Sequence, residues 1–416
     1  MKKINLFLLG TSMSMIAVLT ACNKESAKTN AAAGPERQSV TDMISENGAN
    51  PDEVMMTTSA EGKAVLTETN SAYDRKNRNG HYLYTESNAA STNQIYYYAV
   101  NKDGTLTYQG SVASGGQGTG AGLGSQGALV LSENHEWLFA VNAGSNTVSS
   151  FKVQHDGSLS LAHTEGSYGK IPVSVSIHNN LLYVLNFGTD NIHGFKVGSD
   201  GTLTHIDGST RALSGSGVVA PQISFTPNGN WLLVTEKATN NISSFKVKAD
   251  GSVDADVVTP STGQTPFGFD FGREDFMVVS NAAGGAVGAG SATSYRLGAN
   301  GHLHDMNGAV ANDQGAPCWV ATTEYGRFAF VTNTGSNSIS SYYIAPGGYL
   351  FLVDKAAAST GTMPTDIVVA TNNYHVFALT SHSGTIDEYH RKFFGGLDRI
   401  DAVTGIPLSA TGLAIF

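Results

Sequence analysis

The sequence predicts an all-β fold built from seven repeats, each holding four short strands. Three observations lead to this prediction. First, the 416 residues include 48 glycines but only 14% charged residues, which favours a turn-rich β protein over a helical one. Second, a short glycine-hydrophobic signature recurs seven times. Third, alternating apolar stretches precede the copies, as expected of strands. Because repeats of this length with four strands each close radially, we predict a seven-bladed β-propeller.

Residues 1–22 have the features of a bacterial lipoprotein signal. Lys2 and Lys3 precede an apolar stretch over residues 4–19 that is too short to span a bilayer. The sequence LTAC at residues 19–22 resembles the lipobox, whose cysteine is acylated and becomes the mature N-terminus. We therefore predict a signal peptide over 1–21 and a membrane anchor through lipidated Cys22. The alternative is a plain secretory signal with a chance cysteine.

Residues 22–75 are rich in Ala, Asn, Ser, Thr and Glu and show little apolar periodicity. We interpret them as a tether between the lipid and a propeller domain over 76–416. The predicted location is the cell envelope, and Asn23 after the cysteine favours the outer membrane in a diderm bacterium. Cys318 is the only other cysteine, so the acylated chain has no second thiol for an intrachain disulfide.

The recurrent signature predicts the turn between the third and fourth strands of each repeat. Asp-Gly or Asn-Gly between alternating hydrophobic residues is a strong hairpin signal. Counted from glycine to glycine, the steps are 53, 44, 50, 50, 47 and 48 residues. The copies are KDGTL (102–106), HDGSL (155–159), SDGTL (199–203), ADGSV (249–253), ANGHL (299–303), PGGYL (346–350) and FFGGL (393–397), with the last glycine taken as Gly396.

The other strands of each repeat follow from the stretches before the signature. The third strand is typified by VSSFKV (148–153), and the second ends in Asn or Glu, as in WLFAVN (137–142) and WLLVTE (231–236). Proline often opens the first, inner strand. In the first repeat the second strand is HYLYTE (81–86), and no clear inner strand precedes it in the sequence. We predict that residues 407–416 supply that missing strand and close the ring, which removes exposed sheet edges.

The loops predict which face carries a site. The connections from first to second and from third to fourth strand are tight turns, whereas the other two kinds are longer and share the opposite face. Long loops on a rigid ring are where ligands commonly bind, although they are also tolerated insertions. The net charge of −10 argues against a nucleic-acid partner. The Gly-rich loops lack GxxxxGK[ST], and no metal-binding motif appears, so neither a cofactor nor a metal is predicted.

Several polar residues on the predicted loop face are candidates for a site. Glu236, Asp366 and His382 are catalytic candidates, since carboxylates and imidazoles carry protons. The alternative for each is an ion pair or a solvated loop position. Asparagines that end second strands either stabilise turns or bind ligand. The ligand-binding candidates are Gln222, Lys237, Arg211, Asn186, Asn281 and Asn333.

The segment VTEKATNNISSFKVKADGSV (234–253) and its siblings resemble the lactonase seven-bladed propeller family over about residues 80–416. That family includes 6-phosphogluconolactonases and carboxymuconate-cyclising enzymes, and the resemblance implies opening or forming a lactone ring. It also implies Arg and His at the starts of the inner strands. The residues after the inner-strand prolines are instead Val173, Gln222, Phe267, Cys318 and Thr365.

Two functions follow as hypotheses. One is an envelope-anchored, lactonase-like hydrolase that acts on a sugar or carboxylate lactone. Losing the donors that stabilise an oxyanion lowers the rate by ~10²–10³, which weighs against it. The other is a non-catalytic propeller that binds a glycan, a peptide or a partner protein on its loop face.

Overall fold

The computed structural model describes residues 81–324 and 326–416, which form seven antiparallel sheets around a central channel. Each sheet is one blade of four strands, and blade 3 carries an additional two-residue strand. The predicted seven-bladed propeller is therefore confirmed. The predicted signal peptide, Cys22 and the tether over 22–75 lie outside the described residues. Among the described residues, no helix has the length and apolar character to cross a membrane.

The strands fall into four sets by their position in blades 1 to 7. The inner strands are β29 (Thr411–Ile415), β4 (Leu129–Leu131), β8 (Pro172–His178), β13 (Gln222–Phe225), β17 (Pro266–Phe271), β21 (Pro317–Thr322) and β25 (Asp366–Val369). The second strands are β1 (His81–Glu86), β5 (Trp137–Asn142), β9 (Leu181–Asn186), β14 (Trp231–Glu236), β18 (Met277–Asn281), β22 (Phe328–Asn333) and β26 (His375–Thr380).

The third strands are β2 (Gln94–Val100), β6 (Thr147–Val153), β10 (Asn191–Val197), β15 (Asn241–Lys246), β19 (Ser291–Leu297), β23 (Ser338–Ile344) and β27 (Thr385–Arg391). The outer strands are β3 (Leu106–Ala113), β7 (Leu159–Gly166), β11 (Leu203–His205), β16 (Val257–Pro260), β20 (Leu303–Ala311), β24 (Leu350–Ser359) and β28 (Leu397–Thr404), and β12 (Arg211–Ala212) also pairs with β10. Single-turn 3₁₀ helices span Phe187–Thr189, Arg273–Asp275, Ala283–Gly285 and Ser381–Ser383.

The hydrophobic core lies between neighbouring blades. In β5, β9, β14 and β22 every residue after the first is buried. Both sides of a second strand pack against adjacent blades, so these strands are nearly continuous apolar runs rather than alternating ones. The outer strands face solvent and are mostly exposed or half-buried.

The C-terminal strand closes the ring, as predicted. β29 pairs with β1 in blade 1, with Leu83 opposite Ile415 and Tyr84 opposite Ala414. The terminal Phe416 is buried, and its ring lies 5.8 Å from Tyr82 and 6.2 Å from Tyr84 between centroids. Blade 1 thus joins the two ends of the described chain.

The signature glycines also lock each blade to its neighbour. All seven have φ between 75° and 89°, where side chains other than hydrogen are strained. Each packs against a residue at the start of the second strand of the preceding blade. A Cβ built on Gly201, for example, would lie 2.3 Å from the ring of Trp137. The seventh glycine is Gly395 and not the predicted Gly396, because Gly395 is the residue with positive φ that packs on Phe328.

The connections define two faces. The "turn face" holds the turns from inner to second strand and from third to outer strand, and the "loop face" holds the other two kinds. Every inner strand runs from the loop face to the turn face, and every second strand runs back. Since β1 is a second strand, the chain enters the ring at His81 on the turn face.

Candidate functional site

One stretch of chain closes the loop-face end of the central channel. This stretch, residues 121–127, leads into blade 2, and we call it the mouth segment. Its Ser125 hydroxyl donates to the carbonyl of Val173 in blade 3 at 2.8 Å. Its Ser125 carbonyl accepts from the indole N–H of Trp319 in blade 6 at 2.8 Å. The side-chain amide of Asn88 in blade 1 donates to the carbonyl of Ala121. The segment is therefore bound to blades on different sides of the ring.

Gln126 makes the contact that spans the channel. Its Nε2 donates to the carbonyl of Val320 at 2.6 Å, and its Oε1 accepts from the Val320 N–H at 3.2 Å. Its own backbone N–H donates to the carbonyl of Pro221 in blade 4 at 3.1 Å. Blades 2 and 6 are three positions apart in the ring, so this side chain fixes the mouth segment across the channel.

An aromatic and cationic cluster lies at the same end of the channel. The rings of Phe267 and Trp319 are 4.9 Å apart between centroids, and Nζ of Lys237 lies 4.4 Å from the Phe267 centroid. Lys237 also donates to the carbonyl of Gly124 at 3.3 Å. It is the only buried Lys or Arg among the described residues. The predicted ligand-binding residue Lys237 thus holds the mouth segment and contributes a cation–π contact.

The carboxylate of Glu236 is enclosed by donors from its own surroundings. Ser243 Oγ donates to Oε1 at 2.8 Å and Thr239 Oγ1 donates to Oε2 at 2.7 Å. Ser214 adds its backbone N–H at 3.1 Å to Oε1 and its hydroxyl to Oε2. The side chain is fully buried. These four donors occupy both oxygens, which orders the loop before blade 4.

The asparagines that end second strands also bind their own surroundings. Asn186 Nδ2 donates to the carbonyl of Ser167 at 2.9 Å, and Asn281 Nδ2 donates to Thr293 Oγ1 at 2.9 Å. Asn333 Nδ2 donates to Ser340 Oγ at 2.9 Å. All three side chains are buried, and their amides join the ends of second strands to a neighbouring loop or to the third strand.

Gln222 and Asp366 join inner strands of neighbouring blades. The amide of Gln222 accepts from the N–H of Phe269 at 2.7 Å and donates to its carbonyl at 2.9 Å. The carboxyl of Asp366 accepts from the N–H of Leu413 at 2.8 Å and from its neighbour Ile367. Burial raises the pKa of Asp366 to about 8, since desolvation penalises the charged form.

The two remaining candidates lie away from the mouth segment. His382 is exposed in the 3₁₀ helix between the second and third strands of blade 7. Arg211 is half-buried in β12, where its guanidinium donates to the carbonyls of Gly208 and Thr210. The structure therefore brings Lys237 to the channel mouth but distributes the other candidates over blades 3 to 7.

Sequence reasoning missed two features of the loop face. The first is Glu86, which ends the second strand of blade 1 in the position of Glu236. Its carboxyl is fully buried, accepts from Asn93 Nδ2 at 3.1 Å, and has a pKa that burial raises well above its usual range. The HYLYTE stretch contained this signal, because its last residue aligns with the other strand ends.

The second missed feature is a set of left-handed residues in the turns after the second strands. Their side-chain oxygens accept a backbone N–H from the following loop. These pairs are Asn88 with Thr119, Asn146 with Ile171, Asp190 with Gly217, Asn240 with Thr265, and Asn337 with Met363, at 2.7–3.0 Å. Such residues tolerate positive φ better than most, and their hydrogen bonds tie each of these turns to a neighbouring loop of the same face.

An open cleft of about 410 Å³ remains on this face between blades 2 and 3. Its lining includes Thr119, Gly144, Asn146, Lys170 and Gly188. Lys170 is exposed, and its ammonium offers three donors without an acceptor. Gly144 and Gly188 are exposed as well, so backbone atoms border the cleft beside the Lys170 ammonium.

Within residues 81–324 and 326–416, no three His, Cys, Asp or Glu side chains come together as ligands of a metal ion. Cys318 is buried in the inner strand of blade 6.

Several solved structures resemble this fold. One is a Lactobacillus plantarum protein, with 18% identity and a TM-score of 0.67 over 81% of this chain and 99% of that one. Another is a periplasmic gluconolactonase of Pseudomonas aeruginosa, with 18% identity and a TM-score of 0.65 over 80% and 98%. A Bacteroides uniformis protein, provisionally named a 6-phosphogluconolactonase, has 18% identity and a TM-score of 0.66 over 81% and 99%. These likenesses concern the fold alone.

Comparison with curated protein sequences finds no significant relative. A family model described as lactonase, seven-bladed beta-propeller, matches residues 79–220 and 209–315. The two matches together cover more than half of the chain, and the family's seven blades agree with the seven sheets of the structure. The chain belongs to the lactonase seven-bladed β-propeller family.

Proposed function

We propose that this protein is a non-catalytic propeller that is held at the cell envelope through Cys22 and binds a polar ligand on its loop face. The closed channel mouth is the observation that carries the proposal. The mouth segment fills the place where the channel meets the loops, and contacts from Asn88, Lys237, Trp319 and Gln126 hold it there.

The groups that lactone opening needs are absent or already occupied at this place. Phe267 and Val173 are buried apolar residues at the inner-strand starts, so they offer no donor to an oxyanion. Gln222 uses its amide on Phe269, and Glu236 has four donors on its carboxylate. Among the described residues, these side chains therefore offer no proton carrier with a free oxygen beside a cation at the mouth.

The cleft between blades 2 and 3 supports a choice of ligand class. The Lys170 ammonium supplies a positive charge and three N–H donors beside exposed glycine backbone, whereas Thr119 Oγ1 and Asn146 Oδ1 are already hydrogen-bonded to Ala121 and Ile171. Carboxylate or hydroxyl oxygens match such donors. We therefore propose an acidic sugar or the acidic end of a glycan as ligand.

Calorimetric titration with acidic and neutral sugars tests this proposal. We expect an acidic sugar or oligosaccharide to bind, and Lys170→Ala to weaken that binding about tenfold, as loss of one charge-assisted hydrogen bond does. Lys102→Ala is the matched control, because Lys102 is an exposed cation on the turn face. Equal affinities for the two variants would contradict the assignment of the cleft.

One observation favours lactone hydrolysis as a second candidate. Asp366 lies at the loop-face end of an inner strand and has a pKa of about 8, which suits a proton donor near neutral pH. The names of two similar structures give gluconolactone and 6-phosphogluconolactone as the substrates to try. Turnover of a lactone panel in a pH-stat that exceeds background and falls in a folded Asp366→Asn variant would establish this candidate and overturn the first.

A further inference from the structure

The turn face of blade 7 carries a cluster of exposed aromatic side chains. Tyr374 is 56% exposed in the turn from inner to second strand, and Phe393 (46%) and Phe394 (55%) lie in the turn from third to outer strand. The two phenylalanine rings are 4.9 Å apart between centroids. Tyr349 occupies the corresponding turn of blade 6 and is also exposed. We call Tyr374, Phe393 and Phe394 the aromatic patch.

The patch is held in an exposed position by the structure beneath it. Arg391 lies 5.8 Å from the Tyr374 ring and 5.5 Å from the Phe328 ring. Its Nε donates to the carbonyl of Asn373 at 2.6 Å, and its Nη1 donates to the carbonyl of Lys392 at 3.1 Å. One guanidinium thus ties the two turns together. Neighbouring large exposed apolar side chains on a soluble protein mark an interaction site.

The charge around the patch suits the surface of a lipid bilayer. Arg391 and Lys392 flank the aromatic rings, and Arg327 is exposed in the nearest turn of blade 6. The acidic neighbours are Asp398, which pairs with Lys392 at 2.6 Å, Glu324, and Asp103 in the adjoining turn of blade 1. Aromatic rings beside cations are the side chains that settle at the headgroup level, and anionic lipids attract the cations.

The chain also enters the ring beside this patch. β1 begins at His81 on the turn face, and Gly104 of blade 1 packs on His375 of blade 7. The His375 ring lies 6.0 Å from His390, whose ring is stacked on Tyr374 at 6.1 Å. The residues before His81, including Cys22, are therefore connected to the propeller next to the exposed rings.

We propose that the aromatic patch docks on the surface of the lipid bilayer, with Phe393 and Phe394 inserted among the headgroups. This proposal rests on the proposed function in one respect: the envelope location decides which membrane the patch meets. The contact between the patch and the lipid does not require an acyl chain on the protein. Attachment through Cys22 would tie one point of the chain to the membrane. A second contact at the patch sets the orientation of the propeller, with the loop face directed away from the lipid.

Tryptophan fluorescence on the lipidated full chain tests the proposal. Phe393→Trp is placed in vesicles of phosphatidylethanolamine and phosphatidylglycerol, with and without brominated acyl chains. The control is Leu408→Trp, because Leu408 is 66% exposed on the opposite, loop face. The signal of the added tryptophan is the difference from the wild type, which carries Trp137, Trp231 and Trp319. In that difference we expect a blue shift and at least twofold quenching at position 393, and neither effect at position 408.

The outcomes separate the patch from the lipid anchor. If mass spectrometry finds no acyl chains on the protein, the same variants are added to vesicles from solution. Quenching at position 393 and not at position 408 would then still support docking of the patch, and only the proposed lipid anchor would be wrong. Phe393→Ser/Phe394→Ser is expected to lower that binding about tenfold. Equal emission from the two tryptophan variants with vesicles overturns the proposal, and so does burial of the patch in a dimer that excludes lipid.

Discussion

Gln126 provides the most direct test of the closed channel mouth. Its amide makes both hydrogen bonds that join the mouth segment to Val320 across the channel. Gln126→Ala removes both bonds and leaves the N–H and C=O of Val320 without these partners. A net hydrogen bond contributes about 0.5–1.5 kcal/mol, and each orphaned buried group costs about 1–3 kcal/mol. Since two groups are orphaned, we expect the free energy of unfolding to fall by about 2–6 kcal/mol.

The assay is urea unfolding monitored by circular dichroism. The dependence of the free energy of unfolding on urea concentration is compared among the variants. Gln126→Glu is the isosteric comparison, because it keeps an acceptor for the Val320 N–H but sets a carboxylate against the Val320 carbonyl. Gln154→Ala is the surface control, since exposed Gln154 makes one hydrogen bond to Ser160 at 3.2 Å, and we expect a change within about 0.5 kcal/mol. An equally small change for Gln126→Ala would refute the reasoning.

The same variant also tests the functional argument. If the mouth segment were a lid over an active site, loosening it with Gln126→Ala would raise the rate of lactone hydrolysis. We expect the rate to stay at background, because the inner-strand starts still lack oxyanion donors. Turnover that appears only in Gln126→Ala would contradict the non-catalytic proposal, even if the stability change were as expected.

Three further predictions concern the ring. Gly201→Ala should destabilise the protein by about 2–4 kcal/mol, from positive-φ strain and overlap with Trp137. Gly208 has a similar φ but no atom within reach of an added Cβ, so Gly208→Ala should lower the free energy of unfolding by only about 1–2 kcal/mol. Equal urea midpoints for Gly201→Ala and Gly208→Ala would contradict the proposal that Gly201 locks its blade to the neighbouring one. Because burial raises the pKa of Asp366 to about 8, the native state retains its proton while the unfolded state loses it above about pH 4. The free energy of unfolding should therefore fall by up to about 1.4 kcal/mol per pH unit as pH rises towards 8. In urea titrations at pH 5 to 9, Asp366→Asn should reduce this dependence on pH. The same pH dependence in the variant and the wild type would contradict the assignment to Asp366. Phe416→Ala should lose about 3–5 kcal/mol in thermal unfolding, and a melting temperature equal to wild type would show that closure does not need this ring.

The strands and the ring closure could be predicted because each blade repeats its signals locally. Asp-Gly turns and apolar stretches recur at regular spacing, so seven copies reinforce one another. The error at the seventh turn arose in FFGGL, where two glycines are adjacent. In the other six copies the glycine stands two residues before the closing hydrophobic residue, and this spacing selects Gly395, as does its packing on Phe328. The sequence carries no local sign of that contact, which joins one blade to the preceding one.

The channel mouth could not be predicted for the same reason. Gln126 and Val320 are 194 residues apart, and no repeat relates the mouth segment to another blade. Glu236 is different, since Thr239 and Ser243 are its near neighbours in the chain. Their hydroxyls at short spacing after a buried strand end were a local signal that the carboxylate has partners.

The two faces of the ring lead to one arrangement of the protein at a membrane. All inner strands run from the loop face to the turn face, so the chain entry at His81 and the aromatic patch share one face while the cleft with Lys170 lies on the other. Docking through Phe393 and Phe394 would therefore leave the cleft open to solvent. Docking through the loop face would bury the cleft against lipid and exclude a soluble ligand. The proposed ligand and the proposed membrane contact are thus compatible only in the orientation that the topology provides.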